Sequence, residues 1–373
     1  MKIFYITSVL SDIGGSEIYT RDLLKELINR GHELFVFTTA KYDLPGAKVY
    51  SIPVFGHSAF HKFEAPLFYW KAIREAKKFN PDLIQSHSNS CMGLIGHVVK
   101  RNLKKPHVML IELISSMNQN LHTKTIFQTE KFLLPKLNYN KLVVWTENMK
   151  KKFLLPWGVE EGKIEVIPAA VNVKNYDLGA NGSEINKKYG EKLITSIKSL
   201  WGTNATGIEY IIKAMKIVSR KYPEYKYIIF GWGKERERLE RMVKELALEE
   251  NVQFAGAIHP NECANVAAAT TVAPHSFVYE FSTSISLLEY MAWGKACVVT
   301  DIGSVREFVG DSALVVKAKD EKAMAEGIIK LIEDNELRES LERKARKRVE
   351  EKYSIKATVD RLEGIYEGLI KNN

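Results

Sequence analysis

Cysteine is scarce in this chain: Cys91, Cys263 and Cys297 are far apart and odd in number. That excludes a disulfide framework and points to a reducing compartment. There is no C-x-x-C pair, so structural zinc is not indicated. No stretch approaches the roughly 18 consecutive apolar residues of a membrane span. Met1 opens directly into MKIFYITSVL, which has a lysine but no long apolar region and no small-residue cleavage site. The reading is a protein without a secretory signal, cytoplasmic or peripheral at the inner face of a membrane. Charge of one sign is also limited. The net charge of +9 is mostly interleaved with acid, as in KERERLERMVKELALEE, which reads as a solvated helix face. Nucleic acid is therefore not an expected partner. The less balanced basic segments are 71–78, 100–105 and 150–152, near aromatics such as Phe60, Phe63, Phe68, Tyr69 and Trp70. They fit either a contact with anionic lipid through the N-terminal domain or plain solubility.

A length of 373 residues and 45% apolar content suit two domains with sizeable cores. Strands and helices alternate from the first residue. Strand 2–8, the loop SDIGGSE, helix 18–30 and strand 33–38 make a βαβ unit. The pattern repeats through strands 83–87, 106–113, 141–146 and 163–167, with a helix expected over 147–155. The segment 169–189 holds Gly179, Gly182 and several Asn with little periodicity, and reads as the linker. A second series of strands follows from 193. The expected fold class is α/β, with two Rossmann-like domains whose parallel sheets face each other across a cleft. The domains span 1–174 and 175–357, and a last helix, 358–373, is suited to packing back on the first. Ligands of such sheets bind at the carboxyl ends of the strands, which selects loops 11–17, 199–207 and 275–284.

The stretch 274–301, PHSFVYEFSTSISLLEYMAWGKACVVTD, is the strongest local signal. Ser282, Thr283 and Ser284 are good N-cap types before a helical pattern that starts at Ile285, and Gly294 stops it. The free N–H groups and dipole of such a helix start favour an anion. Glu280 and Glu289 flank the hydroxyl-rich start; they suit acid–base work or hydrogen bonds from sugar hydroxyls. Gly14 and Gly15 follow the first strand, either as an ordinary βα turn or to let a ligand approach the backbone. Gly231 and Gly233 begin a G-x-G-x-x-G, but Arg236 fills the third position, so the dinucleotide fingerprint fails. His87 ends a strand, as a structural residue or a site residue. Glu112 ends the next in an apolar setting, where a carboxylate must be paired or at a cleft mouth.

The order of these landmarks resembles the family 4 retaining glycosyltransferases over nearly the whole chain. GGSEIYTRDLLKELINRGHEL, PDLIQSHS, KIEVIPAAVN, FGWGKERERLERMVKELALEENVQFAGAI and EFSTSISLLEYMAWGK stand in the family's order. The resemblance implies a GT-B fold and transfer of a sugar from a nucleotide diphosphate to a glycan or lipid-linked acceptor. It implies no metal and no cofactor beyond the nucleotide-sugar co-substrate. Glu289 would hold the ribose. The donor would be bound by Gly14, Gly15, Lys198, Thr206, Gly231, Ile258, Ser282, Thr283, Ser284, Ile285 and Glu289. Glu280, Glu112 and His87 would be the catalytic candidates. The chain departs from the family at several points. Counting back from Glu289, the first glutamate of the E-x7-E motif falls on Phe281, and Glu280 is one residue off. Ser199 and Thr206 stand where the family has an arginine and a lysine, which leaves Lys198 as the nearby cation. Two other readings stay open: a catalytically weak sugar-nucleotide-binding protein or partner subunit, and a GT-B sugar-nucleotide epimerase.

Overall fold

The computed structural model describes residues 1–372 apart from 9, 13, 53–64, 89, 113, 115–120 and 279–283. The chain forms two compact units, Met1–Ala169 with Ile355–Asn373, and Ala170–Ser354.

The first unit holds a parallel seven-stranded sheet, ordered β3-β2-β1-β4-β5-β6-β7. Its strands are β1 Lys2–Thr7, β2 Glu33–Thr38, β3 Ala47–Ser51, β4 Leu83–Ser88, β5 His107–Ile111, β6 Lys141–Val144 and β7 Ile164–Val166. After their first residue β1 and β2 are buried throughout, as strands covered on both faces must be. The C-terminal helix Ile355–Lys371 belongs to this unit. Arg30 bonds Glu363 at 2.7 Å, His32 Nε2 lies 2.7 Å from Glu363, and the Tyr366 hydroxyl donates to Gln85 on β4.

The second unit holds a parallel six-stranded sheet, ordered β10-β9-β8-β11-β12-β13. Its strands are β8 Leu193–Ile197, β9 Lys226–Phe230, β10 Val252–Gly256, β11 Thr270–His275, β12 Cys297–Asp301 and β13 Leu314–Lys317. This is the doubly wound order, and the direction of winding reverses between β8 and β11.

Three expectations change. Segment 169–189 is not a free linker. Val171 N bonds Tyr353 O at 2.9 Å, Ser183–Tyr189 is a helix, and Tyr189 packs edge-on to Phe230. The first boundary thus falls at Ala169, not 174, and the second at Ser354, not 357. The edge strands β3 and β13 had no place in the sequence reading. Both are only partly buried; AKVYS mixes apolar and polar residues, and LVVK offers an apolar run of only three. The helix expected over 147–155 is one turn capped by Thr146, then a wider turn through Lys150–Leu154.

Candidate functional site

The carboxyl edge of β8, β9 and β11 gathers the polar groups of the second unit. Helix Ile285–Ala292 starts there. Ser284 is its N-cap, with Oγ 3.4 Å from the Leu287 N–H. The helix is fixed from below: the Tyr290 hydroxyl lies 2.7 Å from Thr195 Oγ1 on β8, which lies 2.6 Å from Thr270 Oγ1 on β11. That anchoring sets the rotation of the helix, and Glu289 leaves on another face. There the Tyr176 hydroxyl donates to Glu289 Oε1 at 3.1 Å. Tyr176 is itself held, since Trp293 packs on its ring and Arg346 donates to its carbonyl at 2.8 Å. The Glu289 charge reaches Cys263, whose thiol is pushed up to about 12 by burial first and then by this carboxylate. A half-buried, oriented carboxylate beside a helix start can accept hydrogen bonds from a diol while the helix amides face an anion.

Lys198 follows β8. Its ammonium stands 4.6 Å from the Phe277 ring centroid, over an aromatic face. Desolvation pulls its pKa down to about 8. It is therefore cationic at neutral pH and loses its proton just above. An anion at Lys198 is expected to bind most tightly below pH 8 and to weaken as pH rises through 8 to 9. Calorimetry of pyrophosphate binding in buffers of different ionisation enthalpy checks this, because binding near pH 8 must take up protons. An affinity flat from pH 7 to 9.5 would remove Lys198 from the site. His275, at the end of β11, is 2% exposed, and neither ring nitrogen has a hydrogen-bond partner. Burial, then the Lys198 charge, holds its pKa well below the usual histidine range, so it is a neutral imidazole.

The glycines of this edge serve close approach. A Cβ on Gly231 would overlap the Lys198 carbonyl, and one on Gly207 the Ser276 carbonyl. Thr206 Oγ1 turns to the Gly202 carbonyl at 3.4 Å and brings no charge. Ser199 is exposed. Ile258 packs its side chain against the cluster of Tyr189, Ile228 and Phe230. Ile285 is 8% exposed at the helix start. Glu280, Ser282 and Thr283 lie outside the described residues. The sequence reading missed Tyr176 and His275. Tyr176 was hidden in the presumed linker, and only the strand end before the hydroxyl-rich stretch points to His275.

In the first unit, His87 is fully buried rather than open to a ligand. Its Nδ1 lies 2.6 Å from the Tyr5 hydroxyl and its Nε2 2.7 Å from Glu112 Oε1. Tyr19 stands edge-on to it, with ring centroids 5.6 Å apart. Gly14 precedes helix Gly15–Asn29 at φ +104°, a conformation that favours glycine. The Glu17 carboxylate lies against Gly14, where a Cβ would overlap it. The start of this helix therefore already has an anion of its own. No group of metal-ligating side chains occurs among the described residues.

Comparison with known proteins adds a family. The model of Glycosyltransferase Family 4 matches residues 13–175, and that of Glycosyl transferases group 1 matches residues 182–348. An uncharacterized glycosyltransferase of Methanocaldococcus jannaschii is 26% identical over 371 residues, 92% of this chain and 91% of that protein. Among solved structures, a sucrose-phosphate synthase from Thermosynechococcus elongatus has a TM-score of 0.84 at 19% identity, over 100% of both chains. An Anabaena protein solved in complex with UDP and glucose has a TM-score of 0.81 at 17% identity, over 99% of this chain and 100% of that one.

Proposed function

Starting from its membership of the family 4 glycosyltransferases, with a GT-B fold, we propose that this chain moves a hexose from a nucleotide diphosphate to a glycan or lipid-linked acceptor, with retention of configuration. The observation that carries the donor half is the oriented Glu289 beside the Ile285 helix start, with Lys198 on the same sheet edge. In this reading Glu289 accepts the ribose hydroxyls, and Lys198 and the helix amides face the diphosphate. The bond from sugar C1 to the diphosphate oxygen breaks. A bond from C1 to the acceptor oxygen forms on the same face, and the acceptor proton passes to the departing diphosphate. The charge that develops on the leaving group meets Lys198 and preorganised amides, so the reading needs no metal and no further cofactor. Glu280 is assigned to the sugar side on family resemblance alone. Glu112 and His87 hold each other and Tyr5, and are read as scaffolding of the first unit. The acceptor belongs to that unit, and the reaction to the cytoplasm. No described helix is long and apolar enough to cross a membrane. A peripheral lipid contact would use helix Ala65–Phe79, where exposed Leu67 and Trp70 accompany Arg74, Lys77 and Lys78.

A thermal-shift series with UDP-, GDP- and ADP-sugars, followed by transfer assays and assignment of the product anomer, tests this function. A protein that binds none of these donors sinks it. Glu289→Gln is expected to weaken donor binding about ten- to a hundred-fold, since hydrogen bonds to a charged group contribute about 1.5–3 kcal/mol. Tyr176→Phe should lose less, because it only orients the carboxylate. One observation favours a second reading, a sugar-nucleotide binder with little turnover. Ser199 and Thr206 supply no positive charge, so in that loop only Lys198 faces a leaving diphosphate. Tight donor binding without transfer to any acceptor would select it.

A further inference from the structure

Six tryptophans occur in the chain, and two of them meet in water at the edge of the candidate site. Trp201 is 44% exposed and Trp232 is 65% exposed. Their ring centroids are 5.5 Å apart at an interplanar angle of 64°. Neither ring is needed to fill the core. Their placement is nevertheless fixed by backbone. The β8–β9 ladder continues past the strand ends: Lys198 N bonds Phe230 O at 2.8 Å, and Leu200 N bonds Trp232 O at 2.9 Å. Glu235 N returns to Leu200 O at 3.2 Å, and Gly231 N bonds Gly256 O at 2.7 Å. Gly233 permits the contact, because a Cβ there would overlap the backbone of Leu200. Two large apolar rings side by side in solvent suggest a ligand surface.

The neighbours say what kind of ligand. The ladder joins the pair directly to Lys198, on the side of the sheet away from β11. The indoles therefore stand at the β8–β9 edge, beside the candidate phosphate contact. The opposite half ends in charge instead: Arg306 pairs with Asp301 at the end of β12, at 2.7 Å. The Lys234 ammonium stands 5.9 Å from the Trp201 centroid, so one indole already has a cationic neighbour while Trp232 is the more open. A nucleotide with its diphosphate at Lys198 has the indole pair within reach of its flat aromatic base. Stacking on an indole face suits every base and needs no hydrogen-bond code.

We propose that Trp232, backed by Trp201, is the stacking surface for the nucleobase of the donor. This rests on the donor reading above and names the part of the site that holds the base. The test uses the full chain, its intrinsic tryptophan fluorescence, and four probes: UDP, GDP, ADP and inorganic pyrophosphate. At least one nucleoside diphosphate should quench the emission and bind more tightly than pyrophosphate. Trp232→Ala should weaken that nucleotide about ten-fold or more and remove most of the quench, with pyrophosphate affinity unchanged. Trp201→Ala should have a smaller effect in the same direction. Both side chains are exposed, so the melting temperature should hold. Unchanged nucleotide affinity in Trp232→Ala, or an equal loss for pyrophosphate, overturns the platform while the donor reading stands. Quenching by a neutral oligosaccharide and by no nucleotide assigns the surface to a glycan and also overturns it. If the unaltered protein binds no nucleoside diphosphate, the donor reading fails and the platform with it.

Discussion

Replacing Lys198 by methionine is expected to cut sugar transfer about a hundred- to a thousand-fold, the usual loss when one preorganised stabiliser of developing charge is removed. Methionine keeps the length of the side chain and its contact with the Phe277 ring. Removing a desolvated ammonium, whose pKa already lies near 8, relieves a burial cost. Stability should therefore be unchanged or slightly higher, and the defect should appear in kcat more than in KM for the acceptor. The decrease in anion affinity between pH 7 and 9 should disappear with the lysine. Steady-state kinetics and a thermal melt on the same preparation decide the matter. A folded variant that transfers at the normal rate removes Lys198 from the mechanism. Ser199 and Thr206 bring no second cation to that loop.

His87→Leu should cost about 3–5 kcal/mol of stability, the range for truncating one member of a buried polar pair. The substitution removes the imidazole from Glu112 and from the Tyr5 hydroxyl, in a region sealed by Tyr19 and the β1–β4 pairing. In a unit of this size that is a fall in Tm of roughly 10 °C. Nucleotide binding resides on the other unit in the proposal and should survive below the new transition. Urea unfolding with a parallel nucleotide titration separates the two effects. If stability is intact but transfer is lost, His87 acts in the chemistry itself and the scaffolding role is wrong.

Much of the architecture was legible because parallel strands buried on both faces must be nearly continuous apolar runs. KIFYIT and ELFVFT declare themselves that way. AKVYS does not, because an edge strand is only partly covered and its residues answer to solvent as much as to the core. LVVK has only three apolar residues, too short a run to declare a strand. The Ser183 helix was invisible for a related reason: it is short and largely exposed, and its glycine and asparagine neighbours read as a linker. In the candidate site, the helix start at Ile285 was readable from cap chemistry. Tyr176 was not, since a side chain that orients another 113 residues away leaves no local pattern. His87 and Glu112 were readable as polar residues at strand ends. Sequence alone could not tell that each closes off the other from solvent.

The return of the last helix to the first unit has a consequence for synthesis. Residues 1–169 leave the ribosome first, yet the partners of Arg30, His32 and Gln85 lie at Glu363 and Tyr366. Residues 170–354 carry their whole sheet within one continuous segment and can close as soon as they emerge. The part that is made first is thus finished last, and while translation continues its unfilled face is open to chaperones and proteases. A nascent chain arrested before Ile355 would hold a completed second sheet behind a first one still waiting for its final helix.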